Sequence, residues 1–539
     1  MINSSPLSVT TIKDFPSGLS PTSRALRIRR GGSSCGIVLL NLLCLSYEMR
    51  EALGPRVREE TSHLGWRRTV FSMREPSQPE PTTRAQLRAS GYVSRRIKVE
   101  LRDNLLQRLR SGTTAFPGIV GFDLTVLPEL ESAILAGHDL VLLGERGQGK
   151  TRLMRTIAGL LDEWSPKVAG CEIHDDPYVP VCVRCRALAA ELGDELPVEW
   201  LHRDERYTEK LATPDTSVGD LIGDVDPVKV AQGRTLGDPE TVHYGLVPRT
   251  NRGVFGLNEL PDLAERIQVA LFNVLEERDI QVRGYSLRLP LDVFLIATAN
   301  PEDYTNRGRI ITPLKDRFGA ELRTHYLTDL ADEVTLIRQE ATLVAEVGDH
   351  LLEVLARLVR NLRESSSIDQ RSGVSARFAI AAAEGVAASA LRRTARNHDH
   401  ETAVARTCDL AVVLPTLLGK IEFEMGEEGR ERAVLEHLLR LATAATFRDR
   451  LSGLDLSGFT EVFAQGGLVE TGDLVPASDL LSQLGTVPGL FKVLSRLGYD
   501  DSAGPGQVAA AAEFTLEGLH LTRRIDKEIA NGRAIYGAA

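Results

Sequence analysis

Apolar positions along the chain fall into two periods. Leu140-Val141-Leu142-Leu143 is a short unbroken apolar run, the pattern of a strand buried on both faces. The residues from 152 to 161 then carry apolar side chains at helical spacing. Helices are predicted upstream at 99–109 and 126–136. Downstream, 253–257 and 293–299 are two further buried strands, ending at Asn258-Glu259 and at Asn300. Between them a helix at 261–277 aligns Leu263, Ile267, Ala270, Leu271 and Leu275 on one face. Two short alternating runs, 280–283 and 286–289, flank Gly284-Tyr285 and predict a β-hairpin. Strands alternating with helices imply an α/β fold with a mostly parallel sheet and helices on both faces. From about Leu330 the pattern is helical almost to the end. Its leucine stripes at 350–362 and 430–442, and the alanines of 379–405, are the signature of helix-packing core.

The link between the first strand and its helix carries the chemistry. It reads Gly144-Glu145-Arg146-Gly147-Gln148-Gly149-Lys150-Thr151, which fits G-x-x-x-x-G-K-[ST] in a strand–loop–helix context. Glycines let backbone N–H groups converge on phosphate oxygens, and the helix N-terminus adds partial positive charge. Lys150 is expected to reach the β- and γ-phosphates of ATP, and the Thr151 hydroxyl to ligate Mg²⁺. The plainer reading, a glycine turn between core elements, leaves this order of residues unexplained. Hydrolysis needs more: a group to polarise water and a sensor of the γ-phosphate. Glu259 and Asn300, each at the carboxyl end of a predicted strand, are the candidates.

With these motifs in place, 116–161 and 252–319 resemble AAA+ ATPases of the MoxR and magnesium-chelatase I-subunit group. The loop 144–151 resembles that family's Walker A, 253–259 its Walker B, and 280–289 the hairpin before sensor 1. Ala297-Thr298-Ala299-Asn300-Pro301 resembles sensor 1 itself. Leu314-Lys315-Asp316-Arg317-Phe318-Gly319 resembles the segment that gives an arginine finger to the next subunit, so the resemblance assigns Arg317 that role. Ser375-Ala376-Arg377 makes Arg377 the candidate for sensor 2. One position departs: Walker B usually ends Asp-Glu, and here it ends Asn258-Glu259. An Asn amide oxygen can still hold a Mg²⁺-bound water, but without charge, so weaker metal binding is expected.

The resemblance implies a P-loop AAA+ core followed by a helical lid. The expected layout is 1–82 as a disordered extension and linker, and 83–328 as the nucleotide domain with an insertion at about 165–215. A lid at 329–400 and a helical C-terminal region at 401–539 follow. It also implies a homo-oligomeric ring, a hexamer, that remodels an unknown client protein. A separate von Willebrand A-type protein is an expected partner. Two alternatives stay open: a nucleotide-gated scaffold with little turnover, and a sigma-54-activator type. Against the latter, no Gly-Ala-Phe-Thr-Gly-Ala loop is present.

The insertion holds a second pattern. Cys171-x-x-His174 and Cys182-x-x-Cys185 have the ligand types and pair spacing of a structural Zn²⁺ site, with Asp175 and Asp176 as competing ligands. Cytosolic thiols in a polar loop are the alternative. Cys35, Cys44 and Cys408 are scattered. Six cysteines in 539 residues make no disulfide framework and point to a reducing, cytoplasmic setting. The net charge of -10 argues against a dedicated nucleic-acid binder, and the arginine-rich stretch at 84–96 reads as a solvated helix face or linker. No apolar run approaches the roughly twenty residues that span a bilayer. The basic flank and apolar run of 24–45 imitate a secretory signal but begin too deep in the chain, which makes Met73 an alternative first residue.

Overall fold

Five short strands carry the site: β1 (Leu140–Leu143), β2 (Tyr207–Leu211), β3 (Gly253–Asn258), β4 (Val293–Ala299) and β5 (Ala320–Arg323). The computed structural model describes residues 25–26, 38–39, 78–226, 231, 241–281, 288–301, 309–397, 402–464, 466–530 and 533–539. It divides into two units, Met1–Ser77 and Gln78–Ala539. In the first, Ala25–Leu26 pairs antiparallel with Val38–Leu39; Met73 and the rest of the expected extension before Gln78 lie outside the described residues. All that follows concerns the second.

The sheet runs β5-β1-β4-β3-β2 and every neighbouring pair is parallel. Every residue of β1, β3 and β4 is buried, because crossover elements cover both faces. The period of two sorts the side chains. Leu140, Leu142, Val254, Phe294 and Ile296 face one core, with helices Ile97–Ser111, Val126–Ala136 and α1 (Lys150–Thr156). Val141, Leu143, Phe255, Leu257 and Leu295 face the other, with α2 (Glu265–Leu275) and the insertion. Since β1 leads to β2 on one side and β4 to β5 on the other, the strand order reverses beside β1. Ligands of open α/β sheets bind at such a point, outside the carboxyl ends of the strands.

β2 lies inside the stretch expected as insertion, which is therefore shorter than 165–215. The inserted elements are Trp164–Val168, paired antiparallel with Val198–His202, and the helix Val183–Leu192 between them. β2 escapes the apolar pattern because it is the sheet edge and only half-buried. Its start is fixed by Arg206, whose guanidinium donates twice to Glu100 at 2.7 Å. Both are almost fully buried, and removing one partner of such a pair costs about 3–5 kcal/mol.

The expected hairpin has its base: Asp279–Gln281 pairs antiparallel with Arg288–Pro290, while its tip lies outside the described residues. Beyond β5 come α3 (Leu330–Glu340), α4 (Asp349–Glu364), α5 (Ala376–Arg396), α6 (Thr407–Leu417), α7 (Glu431–Leu451) and α8 (Pro505–Leu521). One hydrophobic core runs from Ile337 to Tyr536 through all of them, unbroken across the expected boundary at 400. A three-stranded antiparallel sheet, Val469–Gly472, Arg533–Gly537 and Asp526–Ala530, closes this region. The apolar periodicity gave no sign of it. Among the described residues no helix is long and apolar enough to cross a membrane.

Candidate nucleotide-binding site

The loop 144–151 leaves β1 with Gly147 and Gly149 both in the left-handed region, φ 78° and 76°. A side chain at Gly147 would meet Ser375, whose Cα lies 2.4 Å from the position a Cβ would take. Gln148 is buried and braces the turn: its Oε1 accepts from the Glu145 N–H at 3.0 Å and from the Thr324 hydroxyl at 2.8 Å. Lys150 opens α1 and is buried in the loop it follows. Its ammonium donates to the carbonyls of Gly144 and Glu145 and, at 2.8 Å, to Oδ1 of Asn300. Arg146 is exposed, and its carbonyl accepts from the Tyr326 hydroxyl at 3.1 Å.

The strand ends bring the other predicted residues to this lysine. Asn300, at the end of β4, uses its amide nitrogen to donate to Glu259 Oε2 at 2.7 Å. Glu259 sits at φ 55°, a conformation that costs a residue with a side chain about 1–2 kcal/mol and recurs at active sites. Its N–H donates to the Thr298 hydroxyl at 3.1 Å. Asn258 is buried and its amide is oriented by three partners. Oδ1 accepts from the hydroxyls of Thr151, at 3.1 Å, and Thr298, at 3.2 Å, while Nδ2 donates to Glu209 at 2.6 Å. Lys150, Asn300, Glu259, Thr151 and Asn258 thus form one connected group.

Glu209, on β2, is the member that sequence reasoning missed. Arg155 binds both its oxygens, at 2.7 and 2.9 Å, and the Tyr207 hydroxyl donates at 3.0 Å. Burial pushes its pKa up, but the bonds from Arg155 and Tyr207 outweigh that and hold it below the ordinary carboxylate value. The same burial and the Glu209 charge raise Tyr207. Finding Glu209 needs the register of β2 on β3, which sets it opposite Gly256. No local spacing encodes that.

Two predicted residues stand apart from this group. Arg317 pairs with Glu276, at 2.6 Å, and lies over the Phe272 ring, 4.5 Å from its centroid. Arg377 is exposed in the first turn of α5, whose N-cap, Ser375, abuts Gly147. Beside the loop, a cavity of about 400 Å³ is bounded by Glu145, Gln148, Pro301, Lys315, Arg323 and Thr324. In the insertion, Cys171, Cys182 and Cys185 come together as the spacing predicts, but their fourth neighbour is Asp175. His174 does not join them: at φ 55° its backbone turns in the left-handed region, and the ligand atom that completes the group belongs to the next residue.

A family model described as a sigma-54 interaction domain matches residues 234–317. The magnesium-chelatase 38 kDa subunit of Acidiphilium rubrum is 31% identical over 209 residues, covering 37% of this chain and 55% of that protein. The magnesium-chelatase subunit ChlI of Anabaena variabilis is 26% identical over 207 residues, covering 38% of this chain and 57% of that protein. The chain therefore spans little more than half the length of these relatives. Likeness to solved structures is weak. The BchI–BchD complex of magnesium chelatase gives a TM-score of 0.31 at 20% identity, covering 60% of this chain and 98% of that one. ATP-bound NtrX from Brucella abortus gives 0.34 at 15% identity, covering 65% and 67%.

Proposed function

We propose that this chain is an AAA+ ATPase of the magnesium-chelatase I-subunit type, which binds ATP with Mg²⁺ at 144–151 and hydrolyses it to drive a partner protein. The observation that carries this reading is the bonded series Lys150–Asn300–Glu259 at adjoining strand ends. The donor set fits a triphosphate: a buried ammonium, two left-handed glycines and a helix N-terminus converge on one loop. The nucleotide supplies the phosphoanhydride bond, and its metal ion offsets phosphate charge.

The residues divide the work. Lys150 neutralises phosphate oxygens, and the Thr151 hydroxyl and Asn258 Oδ1 form the metal-facing pair. Glu259 orients the attacking water and accepts its proton as the O–P bond forms, while Asn300 fixes the Glu259 carboxylate. Arg317 completes the site of a neighbouring subunit in a ring, hexameric in this reading, and Arg377 reports on the nucleotide from the lid. A separate von Willebrand A-type protein and an unknown client are the partners, in the cytoplasm.

Steady-state hydrolysis tests this. Glu259→Gln is expected to lower turnover about 100-fold or more while ATP still binds, and Lys150→Ala to abolish binding. Wild type turning over no faster than Glu259→Gln at saturating Mg²⁺-ATP would leave the nucleotide-gated scaffold as the reading. A sigma-54-activator role is favoured only by the match at 234–317; stimulation of turnover by a sigma-54 holoenzyme would support it.

A further inference from the structure

The insertion gathers four buried donor atoms that the nucleotide site does not use. Cys171 follows the strand Trp164–Val168, Cys182 caps the helix Val183–Leu192, and Cys185 lies in its first turn. Their sulfurs and one Asp175 carboxylate oxygen all lie within 4.8 Å of one another. Cys185 and Asp175 are fully buried, and Cys171 and Cys182 nearly so. All three thiols are free of disulfide bonds. Tetrahedral zinc with Zn–S bonds near 2.3 Å sets sulfur separations of about 3.8 Å, so the group needs little contraction to close on an ion.

The hydrogen bonds around the group have the polarity a metal site requires. The Asp175 N–H points at Cys171 Sγ, at 3.4 Å, and the Cys185 N–H at Cys182 Sγ, at 3.3 Å, stabilising negative sulfur. Asp175 Oδ2 accepts from the N–H groups of Val181, at 3.1 Å, and Cys182, at 2.9 Å, which orients the carboxylate. Its Oδ1 has no hydrogen-bond partner among the described residues although Asp175 is fully buried. A fully buried carboxylate grouped with three thiols, one of its oxygens unpartnered, is costly unless a cation completes it.

We infer that Cys171, Asp175, Cys182 and Cys185 bind one Zn²⁺ as a closed structural site. Three sulfur donors select zinc over magnesium or calcium, and four protein ligands leave no open position for catalysis. Its place suggests what it holds. The Asn251 amide donates to the Ile173 carbonyl inside this loop at 3.1 Å, and Asn251 lies two residues before β3. Zinc therefore pins the insertion against the strand that ends in Asn258. These four ligands are separate from the loop 144–151 and would hold the ion whether or not the chain hydrolyses ATP.

The full chain, purified reduced and without chelator, is expected to carry about one zinc per chain by elemental analysis. Cobalt exchange should give the intense visible bands of a tetrahedral thiolate site. Cys171→Ser and Cys182→Ser should lose the metal, Asp175→Asn should bind it at least tenfold more weakly, and His174→Ala should keep it. Zinc-free protein whose reduced form takes up no cobalt would overturn the site. Full zinc in Cys182→Ser, or loss in His174→Ala with retention in Asp175→Asn, would overturn this ligand set. Where a serine variant does not fold, the wild-type zinc content and cobalt spectrum decide.

Discussion

The side-chain amide of Asn258 donates to the carboxylate of Glu209 at 2.6 Å, and this bond accounts for the unusual residue in the Walker B position. An aspartate there would face Glu209 across a hydrogen-bond distance, and two carboxylates sharing such a site cannot both stay ionised. An amide turns that repulsion into a bond and leaves its oxygen toward Thr151. Glu209 thus orients the Asn258 amide.

Restoring the aspartate alone should therefore do harm. Asn258→Asp is expected to weaken Mg²⁺-ATP binding, and adding Glu209→Gln should recover it, since the exchanged pair can hydrogen-bond again. The double-mutant cycle should show a coupling of about 1–3 kcal/mol in metal-dependent ATP binding. Tighter binding by Asn258→Asp in the wild-type background would dismiss the pairing as the cause.

Gly147 and Gly149 share a left-handed backbone but differ in surroundings. A Cβ at Gly149 meets nothing within 4 Å, whereas one at Gly147 collides with the backbone of Ser375. Urea unfolding of nucleotide-free protein should show Gly149→Ala losing about 1–2 kcal/mol from backbone strain alone. Gly147→Ala should lose more, and the excess measures the contact between the loop and the N-terminus of α5. Equal losses would mean that the contact contributes nothing.

His350 gives the helical region a pH dependence. It is fully buried against Phe514 and Tyr499, and neither ring nitrogen has a hydrogen-bond partner among the described residues. Burial, helped by the charge of Arg450, holds its pKa down to about 3 against an ordinary 6.5. The unfolded chain takes up the proton first. The contribution is therefore complete above pH 6.5 and declines toward pH 3, by at most about 1.4 kcal/mol per pH unit. Unfolding measured across that window should flatten in His350→Leu; an unchanged slope would assign the effect to other groups.

Local signals carried much of this architecture. β1, the helix Val126–Ala136 and the loop at Lys150 were legible because each is fixed by its own apolar run, period or glycines. Asn258, Glu259 and Asn300 were legible as polar stops to buried strands. What stayed hidden depends on pairing between distant segments. Glu209 sits on an edge strand with no apolar run, and the strand Val469–Gly472 finds its partners more than sixty residues further on. His174 against Asp175 shows the limit of spacing. Adjacent residues in a turn point in different directions, and the backbone angle that chooses between them is not written in the interval between cysteines.

The unbroken core from Ile337 to Tyr536 gives the molecule a lever. Its short arm is Ser375, seated on the phosphate loop, and its long arm is everything packed behind α5. Tightly packed interiors transmit displacement instead of absorbing it. A tilt of a few degrees at Ser375 therefore swings the far end, including the small antiparallel sheet, through a distance that grows with its separation from that pivot. If ATP binds at 144–151 as proposed, small adjustments at the loop become larger displacements at that far end.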